Sequence, residues 1–566
     1  MTVMSEWLEE THGIQFELLR HFLLRFFDSD LITAPGQATP AVIGAISIFM
    51  PWFAVMISPL KHKYAYLSSL ESADVYLRAV RADQLWLITL MMSTIGLLTA
   101  IKWQSVFPGL RDYRALAALP LRSYQIFQAK LTALLIAATA AIFVLNLFPS
   151  VIFPMISGGR WALNPSFGVR VGVHTIVCAA GSYFFFFSFI ALQGALLVLL
   201  KRRLFERVSG VLQSALVPLM LVFIVLSFSI EPKVTATVLH PHFAAWFPPV
   251  WFLGLYQRML GDRDPEMQVL AARAVGALIV SILLSFLTYA VSYHRHRTVL
   301  IEGPSVSPTK RRRDLHVLDW LFPDPCQQAV IQFMLKTLAG SNQHRMILTA
   351  YAGSGFAVLL TAMVGLGTFI GDAKLHVTMF VYSHVVMLAF LLAGLRHVFS
   401  IPIELRANWI FRIAEAGSRR EWLEAIDRLV LIVAVGVLLV PLPFEYRIVG
   451  PRAVAEIALF GTAAAVSYEV VFRSWEKLPF TCSQLPGKTP MWILVLRVYV
   501  FLSLLPLPCF ILLSCLYSPV GFLIVLGPLI AIGRYLHASR REYRSEARLV
   551  YEESPEPAVQ ELGLLR

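Results

Sequence analysis

VGVHTIVCAAGSYFFFFSFIALQGALLVLL, the stretch from Val171 to Leu200, contains no Asp, Glu, Lys or Arg. An α-helix rises about 1.5 Å per residue, so this run is longer than the roughly 30 Å hydrocarbon core of a bilayer. Further apolar runs flank it on both sides. In the first half, spans are expected near Ala41 to Leu60, Gln84 to Ile101, Leu131 to Ile152, Val171 to Leu200, Val208 to Ile230 and Ala274 to Tyr293. In the second half they are expected near Met346 to Ile370, Val377 to Leu395, Leu429 to Leu442, Ala453 to Phe472, Met491 to Leu516 and Val520 to Ile532. The fold class that follows is an all-α polytopic membrane protein of about twelve transmembrane helices in two six-helix halves.

Composition agrees with that class. The chain is 57% hydrophobic, 12% aromatic and 15% charged, with a mean hydropathy of +0.68, which is more apolar surface than a soluble domain can bury. Charge suggests the orientation. With the amino terminus inside, about 34 of the 48 Lys and Arg fall on inside segments and about 13 outside, leaving Arg497 within a span. Both termini are therefore expected in the cytoplasm of a cell with the protein in its inner or plasma membrane. The net charge of +13 reads as this topological bias plus attraction to anionic lipid, and nucleic acid is not an expected partner. Cys178, Cys326, Cys482, Cys509 and Cys515 include no Cys-x-x-Cys pair, so no disulfide framework or metal knuckle is expected.

About forty mostly polar residues precede the first run, and no cleaved signal peptide is visible. Within them Phe16, Leu19, Leu23, Phe26 and Phe27 recur at helical spacing, with Pro35-Gly36 as a stop. This predicts an in-plane interfacial helix over Phe16 to Ile32. The organisation expected is a cytoplasmic amphipathic segment (1–39), a first six-helix half (40–294), a basic linker (295–345), a second half (346–536) and a cytoplasmic tail (537–566). The linker carries Arg295, Arg297 and the run Lys310 to Arg313.

In each half, the second span is followed by a long inside segment. The first runs from Val106-Phe107 through Arg111, Asp112 and Arg114 to Pro120 and Ser123. The second runs from Val398-Phe399 through Pro402, a favoured first helical residue, to Gly417, a helix stop. Ser418-Arg419-Arg420-Glu421 then forms a capping box that starts the next helix. An amphipathic helix is expected over Ile403 to Ala416. Leu405, Trp409, Ile410 and Ile413 would share its apolar face, and Glu404, Asn408 and Glu415 its polar one. Such a helix either lies on the bilayer or docks on a cytoplasmic partner, and its duplicated position favours docking.

This pattern resembles the ATP-binding-cassette exporter permeases of the second type, in a fused double-length form. The likeness rests on the amphipathic amino-terminal helix, six spans per half and the segment between second and third spans. It also rests on an outer excursion at Glu231 to Arg273 containing Phe247-Pro248-Pro249-Val250-Trp251-Phe252. Phe333 to Arg345 and Pro479-Phe480-Thr481-Cys482-Ser483 extend it, as in uncharacterised bacterial members; the matching second-half excursion shrinks to a few residues around Ser518. The resemblance implies a permease without enzymatic activity of its own, driven by separate cytoplasmic ATP-binding subunits, moving a substrate the sequence does not identify. It also implies ATPase-coupling roles for Arg111, Asp112 and Arg114, and for Glu404, Arg406 and Arg412.

No nucleotide loop is legible. Gly487-Lys488-Thr489 imitates the end of Gly-x4-Gly-Lys-Ser/Thr, but Cys482 stands where the first glycine is needed, and no cofactor is expected in this chain. His240-Pro-His242 and His294-Arg-His296 lack further ligands at metal spacing. Inside the expected spans, Glu456 and Glu469 read equally as snorkelling side chains or transport residues, while Arg497 lies deeper and wants a polar cavity, a carboxylate or a lipid headgroup. Two alternatives remain open. One is a secondary transporter of two six-helix halves, for which Gly109 and Asp112 give only a fragment of the expected loop motif. The other is a membrane-embedded lipid-linked glycosyltransferase, for which Glu71 and Asp74 are the candidate acidic pair.

Overall fold

In a computed structural model, the residues described are 13–23, 59–107, 123–228, 230, 232–301, 322, 324–368, 373–403, 405–414, 419–440, 442–472, 475, 477–482, 518–546 and 552. Helices account for nearly all regular structure among them. Seven are long and apolar enough to cross a bilayer: Ala73–Ile101, Tyr124–Ile156, Phe167–Leu199, Arg207–Ser227, Pro265–Ser292, Ala453–Phe472 and Pro519–Glu542. The architecture is that of an all-α, multi-pass membrane protein. The chain divides into two compact units, one from residues 1–308 and 486–496, the other from 309–485 and 497–566.

The first unit begins with α1 (13–23) and α2 (59–69), followed by α3 (Ala73–Ile101), α4 (Ser123–Leu147), α5 (Pro149–Ile156), α6 (Phe167–Leu199) and α7 (Arg202–Ser227). It closes with α8 (Pro232–Leu239), α9 (Pro241–Ala244), α10 (Pro248–Leu260) and α11 (Pro265–Ile301). α3 packs against α6 and α7, and α11 lies along α6 and α10. The core between them joins Leu85, Leu87, Ile88, Met91 and Met92 of α3 to Val177 and Cys178 of α6 and to Val250, Phe252 and Leu253 of α10.

Three expectations are revised here. The stretch 231–273 is not mainly loop: α10 starts at Pro248-Pro249 and ends where Gly261 takes the left-handed conformation (φ 102°), turning the chain back into α11. At about 20 Å, α10 is too short to span, and it is walled into the core instead. The amino-terminal helix does not present the face expected. Leu18 and Phe22 are its buried residues, packed on Ile126, Ala129 and Ala133 of α4, with Lys130 over the Phe22 ring at 4.7 Å. α3 begins at Ala73, eleven residues before the expected span start at Gln84, and so carries Asp83 inside a helix.

The second unit contains α12 (Pro325–Gly340), α13 (Asn342–Thr368), α14 (Ala373–Ser400), α15 (Trp409–Ala414), α16 (Arg419–Leu439), α17 (Leu442–Val449), α18 (Arg452–Phe472) and α19 (Pro519–Glu546). α12, inside the stretch expected as linker, is started by Asp324, whose side chain accepts from Cys326 N–H, with Pro325 at the first position. Its Val330, Ile331 and Met334 belong to a core with Leu392, Val398 and Phe399 of α14, Trp422 and Ile426 of α16, and Tyr468 and Phe472 of α18. α13 pairs with α14, and α18 with α19. Nearly all of the span expected at Ala41 to Leu60, and all of that expected at Met491 to Leu516, lie outside the described residues.

Candidate functional site

The coupling segment expected after α14 is not one amphipathic helix. Residues Leu405–Ala407 make a single 3-10 turn, and α15 is six residues long. Between them Asn408 points inward and is 3% exposed, although it was expected on the polar outer face. Its Nδ2 donates to Thr481 O at 2.8 Å and to Glu552 O. The two residues after it, Trp409 and Ile410, are 57% and 52% exposed, so these two members of the expected apolar face look outward.

The seat that holds this elbow is the Pro479 to Cys482 stretch. Phe480 adopts φ 68°, a region a bulky residue occupies at a cost. That conformation lets its N–H donate to Phe399 O (2.9 Å) while its own carbonyl accepts from Ile403 N–H (3.2 Å). Its ring is edge-on to Phe333, His344 and Phe399. His344 Nε2 donates to Ile401 O at 3.0 Å, which leaves Nδ1 to accept from the Ser341 hydroxyl at 2.7 Å. Burial holds this imidazole below its ordinary pKa.

Among the residues expected to couple, Arg406 lies in the 3-10 turn and Arg412 in α15. Glu404, Arg111, Asp112 and Arg114 lie outside the described residues, as do Lys488 and Arg497, the residue expected within a span. Glu469 is 8% exposed. It is buried in α18 and pairs with Arg540 of α19 at 2.8 Å, while His537 Nδ1 meets its other oxygen at 2.9 Å. Arg540, 3% exposed, also pairs with Asp427 of α16 and donates to the Tyr468 hydroxyl at 2.9 Å. One cation thus ties three helices together. Sequence reasoning passed over Arg540 because a basic residue at a span end reads as topology, and over Asp427 because it precedes the expected ninth span.

A second polar group lies in the first unit. Asp83 accepts from Lys63 Nζ at 2.8 Å and from the Tyr64 hydroxyl at 2.5 Å. Nearby, Gln257 of α10 donates to Gln84 of α3, while Tyr256 meets His174 Nδ1 at 3.1 Å and His174 Nε2 meets Cys178 Sγ at 3.5 Å. Gln84, Gln257, Tyr256, His174 and Cys178 are all buried. A small cavity of about 20 Å³ is lined by Tyr76, Arg81, Gln84, Arg170, Tyr256 and Gln257. Arg81 is paired with Asp262 at 2.8 Å. Arg170 instead donates to three backbone carbonyls, those of Pro154 (3.3 Å), Asn164 (2.7 Å) and Pro165 (2.9 Å). Gly158 and Gly159 make room for this: a Cβ at Gly158 would strike the Arg170 guanidinium, and one at Gly159 would crowd Ser68 and Tyr76.

His240 and His242 stack ring on ring at 5.5 Å, and among the described residues no group of three or more His, Cys, Asp or Glu is disposed to hold a metal. Asp74 pairs with Arg78 on an exposed helix face. Comparison with known proteins finds no matching family model, no matching curated protein and no matching solved structure.

Proposed function

We propose that this chain is the membrane-spanning permease subunit of an ATP-driven exporter, a fused double-length member of the second-type ATP-binding-cassette permeases. In this reading it has twelve spans in two six-helix halves, with both termini in the cytoplasm. It lies in the inner or plasma membrane and has separate ATP-binding subunits as partners. The observation that carries it is the elbow at residues 401–414. It is a short element seated by backbone bonds to Phe480 and by the buried Asn408, and it turns Trp409 and Ile410 outward between α14 and α16. A helix meant only to lie on lipid needs no such seat, whereas one that transmits force from a partner must be rigidly joined to the spans on either side.

The test is co-purification of the chain with a Walker-motif ATPase encoded beside it. Arg406→Glu together with Arg412→Glu should lower ATPase recovery without lowering the chain's own melting temperature, because charges on a docking face steer association more than they stabilise folds. A double variant that still recovers the ATPase fully would refute the docking role. A second reading, secondary transport, is favoured by the buried group of Arg540, Asp427 and Glu469 at the ends of the helices. It requires ion-coupled substrate movement by the chain alone in ATP-free vesicles.

A further inference from the structure

The connection between α7 and α11 displays two strongly exposed aromatic side chains. Trp246 is 87% exposed and Phe243 59%, whereas Ala244 between them is buried at 4%. The turn that carries them is closed by its own backbone. Phe243 and Ala244 N–H groups both donate to His240 O, at 2.9 and 3.0 Å, and those of Trp246 and Phe247 donate to Phe243 O, at 3.0 and 3.1 Å. Trp251 Nε1 of α10 donates to Ala244 O at 2.7 Å, which ties the turn to the helix it starts. A fixed backbone thus holds two large apolar rings outward, an arrangement that water penalises and an apolar neighbour rewards.

Neighbouring helices give the depth of the turn. The spanning part of α7, Arg207–Ser227, has 21 residues, which at about 1.5 Å each matches the roughly 30 Å of a hydrocarbon core. Its carboxyl end therefore marks one boundary of that core. Phe223 lies four residues, about 6 Å, short of that end, and its ring is 6.0 Å from the ring of Phe247. Phe228, just past the end, meets Trp86 of α3 at 5.9 Å, so a second spanning helix passes at this level. Trp246 is one peptide from Phe247, about 3.8 Å between Cα atoms, and so stands within about one helical turn of the boundary. Leu219 and Phe228 are themselves exposed, so the apolar outer surface of α7 continues to this depth. Charge agrees: from Pro232 to Gly261 the chain holds no Asp or Glu, which suits a region where lipid phosphates are the fixed charges.

We propose that Phe243 and Trp246 form a membrane foot: both rings insert at the headgroup–acyl boundary of the bilayer and hold there the turn from which α10 rises. An indole has an apolar body and a polar N–H, and that boundary offers a partner to each. The occupant of this surface is lipid, because at the depth of Phe223 the surroundings of a spanning helix are acyl chains and headgroups. The Trp251–Ala244 bond makes the foot a support for α10, and through it for the core that α10 shares with α3 and α6. The foot is independent of whether an ATPase drives this chain, and its failure would leave that reading untouched.

The test uses the full-length chain, carrying fluorotryptophan, in phosphatidylcholine nanodiscs; the fluorine resonance that Trp246→Phe lacks belongs to Trp246. Lipid with a nitroxide near the head of its acyl chain should broaden that resonance most. Lipid with the nitroxide at the chain end, and a water-soluble gadolinium chelate, should each broaden it less. Strongest broadening by the chelate would place the ring in open water, and strongest broadening by the deep label would place it in mid-bilayer. Broadening by none of the three would mean that another part of the chain, or a second copy, covers it. Each of these results overturns the proposal. The supporting role is read by hydrogen exchange in the same nanodiscs. Phe243→Ser with Trp246→Ser should speed exchange of the Phe243, Ala244 and Phe247 amides about tenfold, as the loss of two partly buried aromatic rings implies. Both positions are exposed, so the double variant leaves the core side chains in place, and unchanged exchange overturns the support of α10 by the foot.

Discussion

Replacing Asn408 by Leu tests whether the elbow is seated as described. The side chain is 3% exposed and donates to Thr481 O and Glu552 O, so the substitution removes two hydrogen bonds and adds no charge. A neutral bond contributes about 0.5–1.5 kcal/mol net, and a buried carbonyl left without its donor adds about 1–3 kcal/mol. Thr481 O keeps the Glu552 N–H at 3.1 Å, so only part of that second cost applies. The elbow should therefore lose about 2–4 kcal/mol of local stability, equivalent to about thirty-fold to nearly a thousand-fold faster opening at about 1.4 kcal/mol per decade. Hydrogen exchange in detergent micelles reads this directly. The Ile403 and Phe480 amides, which bond Phe480 O and Phe399 O, should lose protection by that factor, while α3 and α6 in the other unit stay as they were. Equal protection of residues 401–414 in the two proteins would refute the reasoning.

Arg540→Leu should lower stability by about 3–5 kcal/mol, since it strands the Asp427 and Glu469 carboxylates in a buried setting; thermal unfolding in detergent should show a lower transition than Glu469→Gln does. His344 is held neutral by burial, so the native state binds fewer protons than the unfolded one below about pH 6.5. Its contribution is complete above that pH and is lost as pH falls toward the lowered folded value; the melting temperature should drop between pH 7.5 and 5.5, and His344→Gln should flatten that drop. Cysteines placed beside Arg311 and near the carboxyl terminus should resist an impermeant maleimide in intact cells, and labelling of either would reverse the topology.

Much of the helical frame was legible because long charge-free runs leave a chain few alternatives. Val171 to Leu200 emerges as α6 and Ala453 to Phe472 as the body of α18. α10 was not foreseen within the outer excursion at 231–273, and its burial could not have been, since an apolar helix in a connection looks the same whether it lies at a surface or inside a core. The amphipathic reading of Ile403 to Ala416 failed for a definite reason. Helical periodicity assumes that each residue's backbone partner lies four positions away, whereas here the Ile403 N–H bonds Phe480 O and the Asn408 side chain is drawn inward to Thr481 O, both more than seventy residues on. The cavity was illegible on similar grounds. Gln84, Arg170 and Gln257 are unremarkable singly, and only the packing of α3, α6 and α10 brings them together around one cavity.

The position of Arg540 along the chain also bears on how the second unit matures in the membrane. Asp427 and Glu469 are synthesised 113 and 71 residues before the arginine that neutralises them. While the ribosome is still extending the chain toward α19, the two carboxylates have no cation from that helix, and α16 and α18 are joined by their apolar contacts. Delivery of Arg540 closes both pairs at once. Biogenesis of this unit should thus include a late locking step, and nascent chains stalled before α19 should be preferred substrates of membrane quality-control proteases over chains stalled just after it.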